Sequence, residues 1–199
     1  VDSITTGDYN VGVGDNALTS VTEGANNTAS GYQALYSNIT GASNTANGYK
    51  ALYDNTTGIY NVATGSGSLF NNTEGSQNVA IGLNCLLNNT TADNNTAIGH
   101  QAMMLNITGA SNTASGYRSL YSNTTGYNNT AVGRNSLYAN TTGNYNTANG
   151  SYALEKNTTA SNNTATGYAA LYSNTTGSNN TASGYQALKS GPSYTAGTF

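Results

Sequence analysis

The residue types that most enzymes and metal sites use are scarce in this sequence. Its 199 residues include one histidine, one cysteine and eight acidic residues. A catalytic centre needs several such groups to converge on one point, and a calcium-binding roll needs an aspartate in every repeat. Here His100 is alone, and the acidic residues mostly occupy unrelated positions of the repeating pattern; they include Asp15, Glu23, Asp54, Glu74, Asp93 and Glu155. We therefore expect no enzymatic activity, and no bound cofactor or metal ion.

Asparagine is the polar residue whose spacing is regular. One asparagine recurs every 17 residues along the whole chain, at Asn10, Asn27, Asn44, Asn61, Asn78, Asn95, Asn112, Asn129, Asn146, Asn163 and Asn180. Identical amides that stack in register can bond along the stack and to the backbone of turns. We predict that this column, named here the inner asparagine column, is a structural ladder and does not bind a ligand.

A second set of asparagines begins Asn-x-Thr triplets. These residues are Asn38, Asn55, Asn89, Asn106, Asn123, Asn140, Asn157 and Asn174. In a host with the required machinery such triplets accept N-linked glycans. The alternative is that each asparagine helps to form a turn, because asparagine bonds locally to backbone and tolerates left-handed conformations.

These residues belong to a repeat that fills the chain. A motif of the form Asn-[Thr/Val]-Ala-x-Gly occurs eleven times without insertion or deletion, with Gly12 in place of the alanine in the first copy, and a leucine or methionine follows each anchor glycine by four residues. The anchor glycines of the repeat are Gly14, Gly31, Gly48, Gly65, Gly82, Gly99, Gly116, Gly133, Gly150, Gly167 and Gly184. Self-similarity at a fixed short period is typical of solenoids, and 17 residues are too few for a helical hairpin.

Each repeat contains two turn signals, at the anchor glycine and at Asn-Thr-Thr-Gly, which predict two short extended runs. We predict an all-β fold, a parallel β-solenoid (β-roll) of eleven 17-residue coils over residues 8–190. Residues 1–7 are expected to be a partial repeat at the N-terminal edge, and 191–199 a tail outside the repeat. Coils stacked about 4.8 Å apart would form a rod roughly 50 Å long.

Aromatic residues form further columns. Some tyrosines follow the anchor glycine directly and others follow it by five; the candidates for surface binding are Tyr32, Tyr36, Tyr49, Tyr53, Tyr117, Tyr121, Tyr168 and Tyr172. Stacked rings stabilise neighbouring coils, and the same rings could bind sugar. Interruptions such as Ser66 and Arg134 favour packing over binding.

The composition also bears on partners. Each coil offers one leucine, two small residues and one or two tyrosines, a thin core that calls for a second buried face. A net charge of −3 and five scattered cations argue against nucleic acid. No apolar run is long enough to span a membrane. Cys85 occupies the column of small residues and, as the single cysteine, can form no intrachain disulfide.

The motif resembles the head repeat of YadA-like trimeric autotransporter adhesins, most clearly at 78–82 and 95–99. Similar arrays occur in phage tail fibres and large bacterial surface proteins. The resemblance implies a left-handed β-roll in which three chains pack around one axis, and a location outside the cell, on a cell surface or virion fibre. Family repeats are commonly a few residues shorter than 17, a difference that an outer Asn-Thr-Thr-Gly loop could absorb. Nothing here matches the family's stalk or membrane anchor.

These observations predict a structural and adhesive rod that associates with itself and meets a protein or glycan of a host surface. The alternative is a monomeric or filament-forming solenoid that binds carbohydrate or ice, with glycans on the Asn-x-Thr loops. Ice binding needs regular threonine arrays, and here Val11, Val62 and Val79 interrupt one column while Glu23 and Glu74 interrupt the other.

Overall fold

The structure, a computed structural model, describes residues 6–189. Within this range every repeat forms one three-residue strand and no helix. The strands are β1 (Val11–Val13), β2 (Thr28–Ser30), β3 (Thr45–Asn47), β4 (Val62–Thr64), β5 (Val79–Ile81), β6 (Thr96–Ile98), β7 (Thr113–Ser115), β8 (Thr130–Val132), β9 (Thr147–Asn149), β10 (Thr164–Thr166) and β11 (Thr181–Ser183).

All eleven strands form one parallel sheet in chain order. Each strand pairs with the next at an offset of 17 residues, as in Ala80 opposite Ala97. The β-solenoid with a 17-residue repeat is therefore confirmed. Its handedness and the packing of three chains stay predictions. The N-terminal edge predicted for 1–7 lies mostly, and the tail predicted for 191–199 wholly, outside the described residues.

The core is a narrow stack of alanine and leucine. The middle residue of β2 to β10 is an alanine with no exposed surface, and the column four residues after the anchor glycine is equally enclosed from Leu18 to Leu154. Cys85 lies in this core at the position that Ala34 and Ala102 fill in other coils. The alanine and leucine side chains of successive coils form one continuous buried cluster.

The second run of each repeat is not a strand, which corrects the prediction of two extended runs. After Gly31, residues 32–37 form turns, and both Gln33 (φ 54°) and Leu35 (φ 51°) have left-handed backbone conformations. A strand would turn Ala34 and Leu35 to opposite faces. The left-handed turns instead let both side chains point into the core, where neither is exposed.

Successive coils are also joined by backbone hydrogen bonds outside the sheet. Leu35 donates its N–H to the carbonyl of Ala51, 3.0 Å away, and Gln33 donates to Asp15 in the preceding coil at 2.9 Å. At the turns, the N–H groups of Ile39, Thr40 and Gly41 all donate to the carbonyl of Thr56. The turns thus contribute to the stack together with the strands.

The part of the chain that the structure describes, residues 6–189, contains no helix with the length and hydropathy of a membrane span.

Candidate functional site

The inner asparagine column links side chains to backbone between coils. Asn44 is typical: its backbone N–H donates to Oδ1 of Asn27 at 3.0 Å, and its Nδ2 donates to the carbonyl of Gly58 at 2.8 Å. Its own Oδ1 accepts from the N–H of Asn61 at 2.9 Å. From Asn27 to Asn163 these side chains are buried. All of the amide's hydrogen-bonding groups are therefore used inside the protein.

A second column makes amide-to-amide bonds. Nδ2 of Asn55 donates to Oδ1 of Asn38 at 2.8 Å and to the carbonyl of Gly58 at 3.1 Å. The same pair of bonds recurs in successive coils, including that of Asn72, which does not begin an Asn-x-Thr triplet. We name this the corner asparagine column; its members are Asn38, Asn55, Asn72, Asn89, Asn106, Asn123, Asn140, Asn157 and Asn174.

The corner column is buried, which favours the turn-forming alternative over glycan acceptors in an outer loop. From Asn38 to Asn157 these side chains have no exposed surface, and Asn174 is 6% exposed. A sugar attached to Nδ2 would need the space that the next coil occupies and would remove donated hydrogen bonds. This physical reason applies to each predicted acceptor: Asn38, Asn55, Asn89, Asn106, Asn123, Asn140, Asn157 and Asn174.

The predicted surface-binding tyrosines lie on one side of the coil. This tyrosine face consists of the columns one, two and five residues after each anchor glycine. Tyr32 and Tyr49 stack in the first column with ring centroids 5.5 Å apart, and Tyr36 and Tyr53 stack in the third at 5.1 Å. The same columns hold Tyr117 and Tyr168, which are exposed, and Tyr121 and Tyr172, which are half-buried. The structure thus brings all eight together on one surface.

Basic side chains lie over these rings. Nζ of Lys50 is 5.1 Å from the ring centroid of Tyr53, and the guanidinium of Arg118 is 5.2 Å from that of Tyr117. Nζ of Lys156 is 5.0 Å from the ring centroid of Tyr172. Cations near aromatic faces are attracted by the ring quadrupole. The tyrosine face therefore combines apolar rings with positive charge.

An open cavity of about 300 Å³ lies on the tyrosine face. It is lined by Tyr152, Tyr168, Ala169, Tyr172 and Lys189. Burial, and then the neighbouring carboxylate of Glu155, raise the pKa of the Tyr172 hydroxyl. This cavity is the feature that inspection of the sequence missed. The sequence does contain a signal for the cavity, namely Ala169, which stands in a column whose other side chains are mostly longer and polar.

The outward side of the sheet forms a second surface. This sheet face consists of the first and third residues of each strand, which flank the buried alanine. Threonine fills the first position in eight strands, whereas the third position is mixed and includes Ile81, Ile98 and Val132. These three apolar side chains are exposed. The sheet face therefore carries one nearly regular threonine column beside an irregular column with apolar members.

The described residues bring few titratable groups together. Within residues 6–189 no three His, Cys, Asp or Glu side chains form a group that could hold a metal ion. His100 packs against the ring of Tyr117 with centroids 5.4 Å apart. The Cys85 thiol is buried and donates to the carbonyl of Ala97 at 3.2 Å.

Comparisons with known proteins find no match to a family model, to a curated protein or to a solved structure.

Proposed function

We propose that this chain is a non-enzymatic rod. It would form part of an extracellular fibre that is exposed on the surface of a cell or a virion. In this function the chain holds other parts of the fibre at a distance and presents a surface for adhesion. The proposal includes association of three copies along the rod. The YadA-like repeats that the sequence resembles suggest this arrangement.

The regularity of the stack supports a mechanical function. Neighbouring strands pair in the same register from β1 to β11. Both asparagine columns add hydrogen bonds across the same coil boundaries. A repeat array of this kind gains stability from each interface between neighbours, so the rod is stiff along its axis and offers proteases few loose segments.

The sheet face is the observation that carries the proposed self-association. Parallel sheets occur almost only where both faces are covered. Here one face packs on the leucine column, and the other exposes Ile81, Ile98 and Val132 in a single chain. Packing of three sheet faces around one axis would bury these side chains and supply the second buried face that the thin core requires.

The tyrosine face is the surface that we propose for adhesion. It lies outside the sheet face, so it stays accessible when three chains associate. Weak contacts of its rings with a host protein or glycan would be repeated along the rod and in each chain. Repetition of weak sites raises avidity without any strong single site.

The mass of the protein in solution tests this proposal. We expect sedimentation equilibrium of the full chain to give three times the chain mass of 20.3 kDa. Electron micrographs of the same sample should show rods roughly 50 Å long. A monomer at micromolar concentration would refute the trimer.

The threonine column of the sheet face favours one competing function, ice binding by a monomeric solenoid. The two functions exclude each other, because association through the sheet face would cover the threonines. Ice binding predicts thermal hysteresis that a Thr113→Lys change abolishes, together with a monomeric mass. Absence of thermal hysteresis in the wild-type chain would exclude this function.

A further inference from the structure

The cavity on the tyrosine face arises from one short side chain. In the column two residues after the anchor glycine, Ala169 stands where other coils carry Gln33, Lys50, Gln101, Arg118 or Gln186. Its methyl group leaves a gap between the rings of Tyr152, Tyr168 and Tyr172. The next residue of the column does not fill this gap, because the Gln186 amide is directed to the Tyr185 hydroxyl, 3.4 Å away.

The other small residue of this column leaves no such gap. At Gly67 the side chain of Asn84 occupies the space, since an added Cβ would lie 2.6 Å from Asn84 Oδ1 and 3.4 Å from Leu87 Cδ1. The position of Gly67 also lacks flanking tyrosines of the first column, where Ser66 and Leu83 stand. The cavity at Ala169 is therefore a local feature of the rod and not a property of each repeat.

The walls of the cavity suit a sugar ring. Tyr152 and Tyr168 meet at 77° with centroids 5.7 Å apart, which makes an aromatic corner. Ligand pockets are typically lined by aromatic side chains with a few polar groups, and a volume of about 300 Å³ is at the small end of their range. Pyranose rings have an apolar C–H face that can pack on a tyrosine ring and hydroxyl groups that bond at the rim.

The charges around the cavity favour an acidic sugar. Lys189 lines it, the Arg134 guanidinium is 5.7 Å from the Tyr152 ring centroid, and Nζ of Lys156 is 5.0 Å from the Tyr172 ring centroid. These are three of the five cations in a chain of net charge −3. The opposing carboxylate, that of Glu155, has an enclosed Oε2 without a hydrogen-bond partner among the described residues. A local excess of positive charge attracts anions.

We propose that the cavity at Ala169 binds a pyranose that carries a carboxylate, such as a hexuronate unit of an acidic glycan. The apolar face of the sugar packs in the corner of Tyr152 and Tyr168, and its carboxylate meets Lys189. This site deepens the adhesive part of the proposed function, and it rests on that proposal in requiring a tyrosine face that is open to host glycans.

Binding of D-galacturonate and D-galactose to the full chain tests the site, because these sugars differ only at carbon 6. Saturation-transfer NMR and calorimetry should show galacturonate bound at least about tenfold more tightly, which corresponds to the loss of one charge-assisted contact. Lys189→Gln should reduce the affinity for galacturonate to that for galactose. Equal affinities in the wild-type chain, or no binding of galacturonate at millimolar concentration, would overturn the proposal.

Ala169→Gln is the decisive variant, since it fills the gap with a residue that the column already carries. Ala169 has φ 52°, and Gln33, Gln101 and Gln186 have φ 54°, 57° and 55°, so the backbone accepts glutamine. We expect Ala169→Gln to fold normally and to lose binding. Retention of wild-type affinity in this variant would place the sugar elsewhere and refute the site.

Two tyrosines of the first column provide a matched pair. Tyr168 borders the cavity and is 44% exposed, whereas Tyr32 is 42% exposed, lies beside Gln33 and does not line this cavity. Tyr168→Ala should abolish binding and Tyr32→Ala should leave it unchanged; equal losses would contradict the proposal. Sedimentation of the same samples separates the two hypotheses, since a trimer without sugar binding refutes only the site, and a monomer that binds galacturonate refutes only the trimeric rod.

Discussion

Asn106 donates a hydrogen bond from Nδ2 to Oδ1 of Asn89 at 2.9 Å, although each of these residues begins an Asn-x-Thr triplet. The same Nδ2 donates a second bond of 2.9 Å to the carbonyl of Gly109 in its own turn. Each corner asparagine therefore closes its turn and also joins it to the preceding coil. The turn depends on the stack, because two of the three hydrogen bonds of the Asn106 amide are made with neighbouring coils, the second of them accepted by Oδ1 from Nδ2 of Asn123.

Replacement of Asn106 by alanine should destabilise the stack strongly. It leaves Oδ1 of Asn89 buried without its donor and removes one of the two acceptors of Asn123 Nδ2, whereas the carbonyl of Gly109 still accepts from Nδ2 of Asn95. Each buried group that loses its bond costs about 1–3 kcal/mol. We expect a loss of roughly 3 kcal/mol in the free energy of unfolding, measured by chemical denaturation with circular dichroism. The control is Asn47→Ala on the exposed sheet face, which should change stability by less than about 0.5 kcal/mol. Similar losses in the two variants would show that the corner column does not stabilise the fold.

The corner column shows where inspection of the sequence succeeded and where it did not. The fixed spacing of asparagines was sufficient to predict that like residues stack. It did not show that the turn asparagines are buried, since Asn-Thr-Thr-Gly also has the composition of an exposed loop. One signal was present at Val21, which occupies the corner position in the first complete coil and is fully buried. Valine there indicates an interior position that asparagine fills only with its hydrogen bonds satisfied.

The anchor glycines provide a second test. Gly99 has φ 133°, and a Cβ added there would lie 2.5 Å from the carbonyl oxygen of Gly116 in the next coil. Gly99→Ala should therefore lower the free energy of unfolding by about 3 kcal/mol, because it combines a strained backbone with a contact that only separation of the coils can relieve. Thermal unfolding followed by circular dichroism measures the effect.

A second glycine of the chain is the control for this prediction. Gly67 has φ 65°, a conformation that Asn16, Asn84 and Asn135 adopt in the same column with φ 57°, 52° and 53°. Gly67→Asn should cost less than about 1 kcal/mol, because only the flexible side chain of Asn84 has to move. If Gly99→Ala unfolds at the same temperature as Gly67→Asn, close packing of the anchor glycines is not required.

The left-handed turns explain why the second run of each repeat was predicted as a strand. Residues 32–36 include alanine, leucine and two tyrosines, a composition that fits an extended segment. A leucine in the left-handed backbone conformation costs on the order of 1 kcal/mol, so a sequence pattern gives no reason to place one there. The cost is offset in Leu35 and Leu52 because the turn buries the leucine completely. The period of the repeat predicts the coil, but it contains no information about the path of the chain within one coil.

The buried thiol of Cys85 should make the rod less stable as the pH rises above about 9. Burial raises the pKa of its thiol from 9.0 to about 12, although a backbone hydrogen bond from Ile81 lowers it in part. The folded chain therefore keeps a proton that the unfolded chain releases. Stability should be independent of this group below about pH 9 and should fall between pH 9 and 12 by about 1.4 kcal/mol per unit.

The comparison of wild type with Cys85→Ala isolates this effect from the titration of tyrosines. Alanine fills the same column at Ala34, Ala51 and Ala102, so the variant keeps the packing. Between pH 7 and pH 10.5 the wild-type chain should lose about 2 kcal/mol more than Cys85→Ala in denaturant unfolding. In addition, the wild-type thiol should react with a thiol reagent at pH 8 only after unfolding. Rapid labelling of the native protein would contradict the burial of Cys85.

Two isoleucines with equal exposure test the proposed association through the sheet face. Ile98 and Ile107 are both 43% exposed, but Ile98 lies on the sheet face and Ile107 in the turn before Gly109. Each can be replaced by the residue that its own column carries in other coils, as Ile98→Ser (Ser115) and Ile107→Thr (Thr124). Burial of an isoleucine stabilises an interface by roughly 1.5–3 kcal/mol. Ile98→Ser should therefore raise the protein concentration at which half of the trimer dissociates at least about tenfold, as measured by sedimentation equilibrium. Ile107→Thr should leave the midpoint unchanged. If Ile107→Thr weakens association and Ile98→Ser does not, the chains meet through the turns, and the sheet face has to be covered by a different partner.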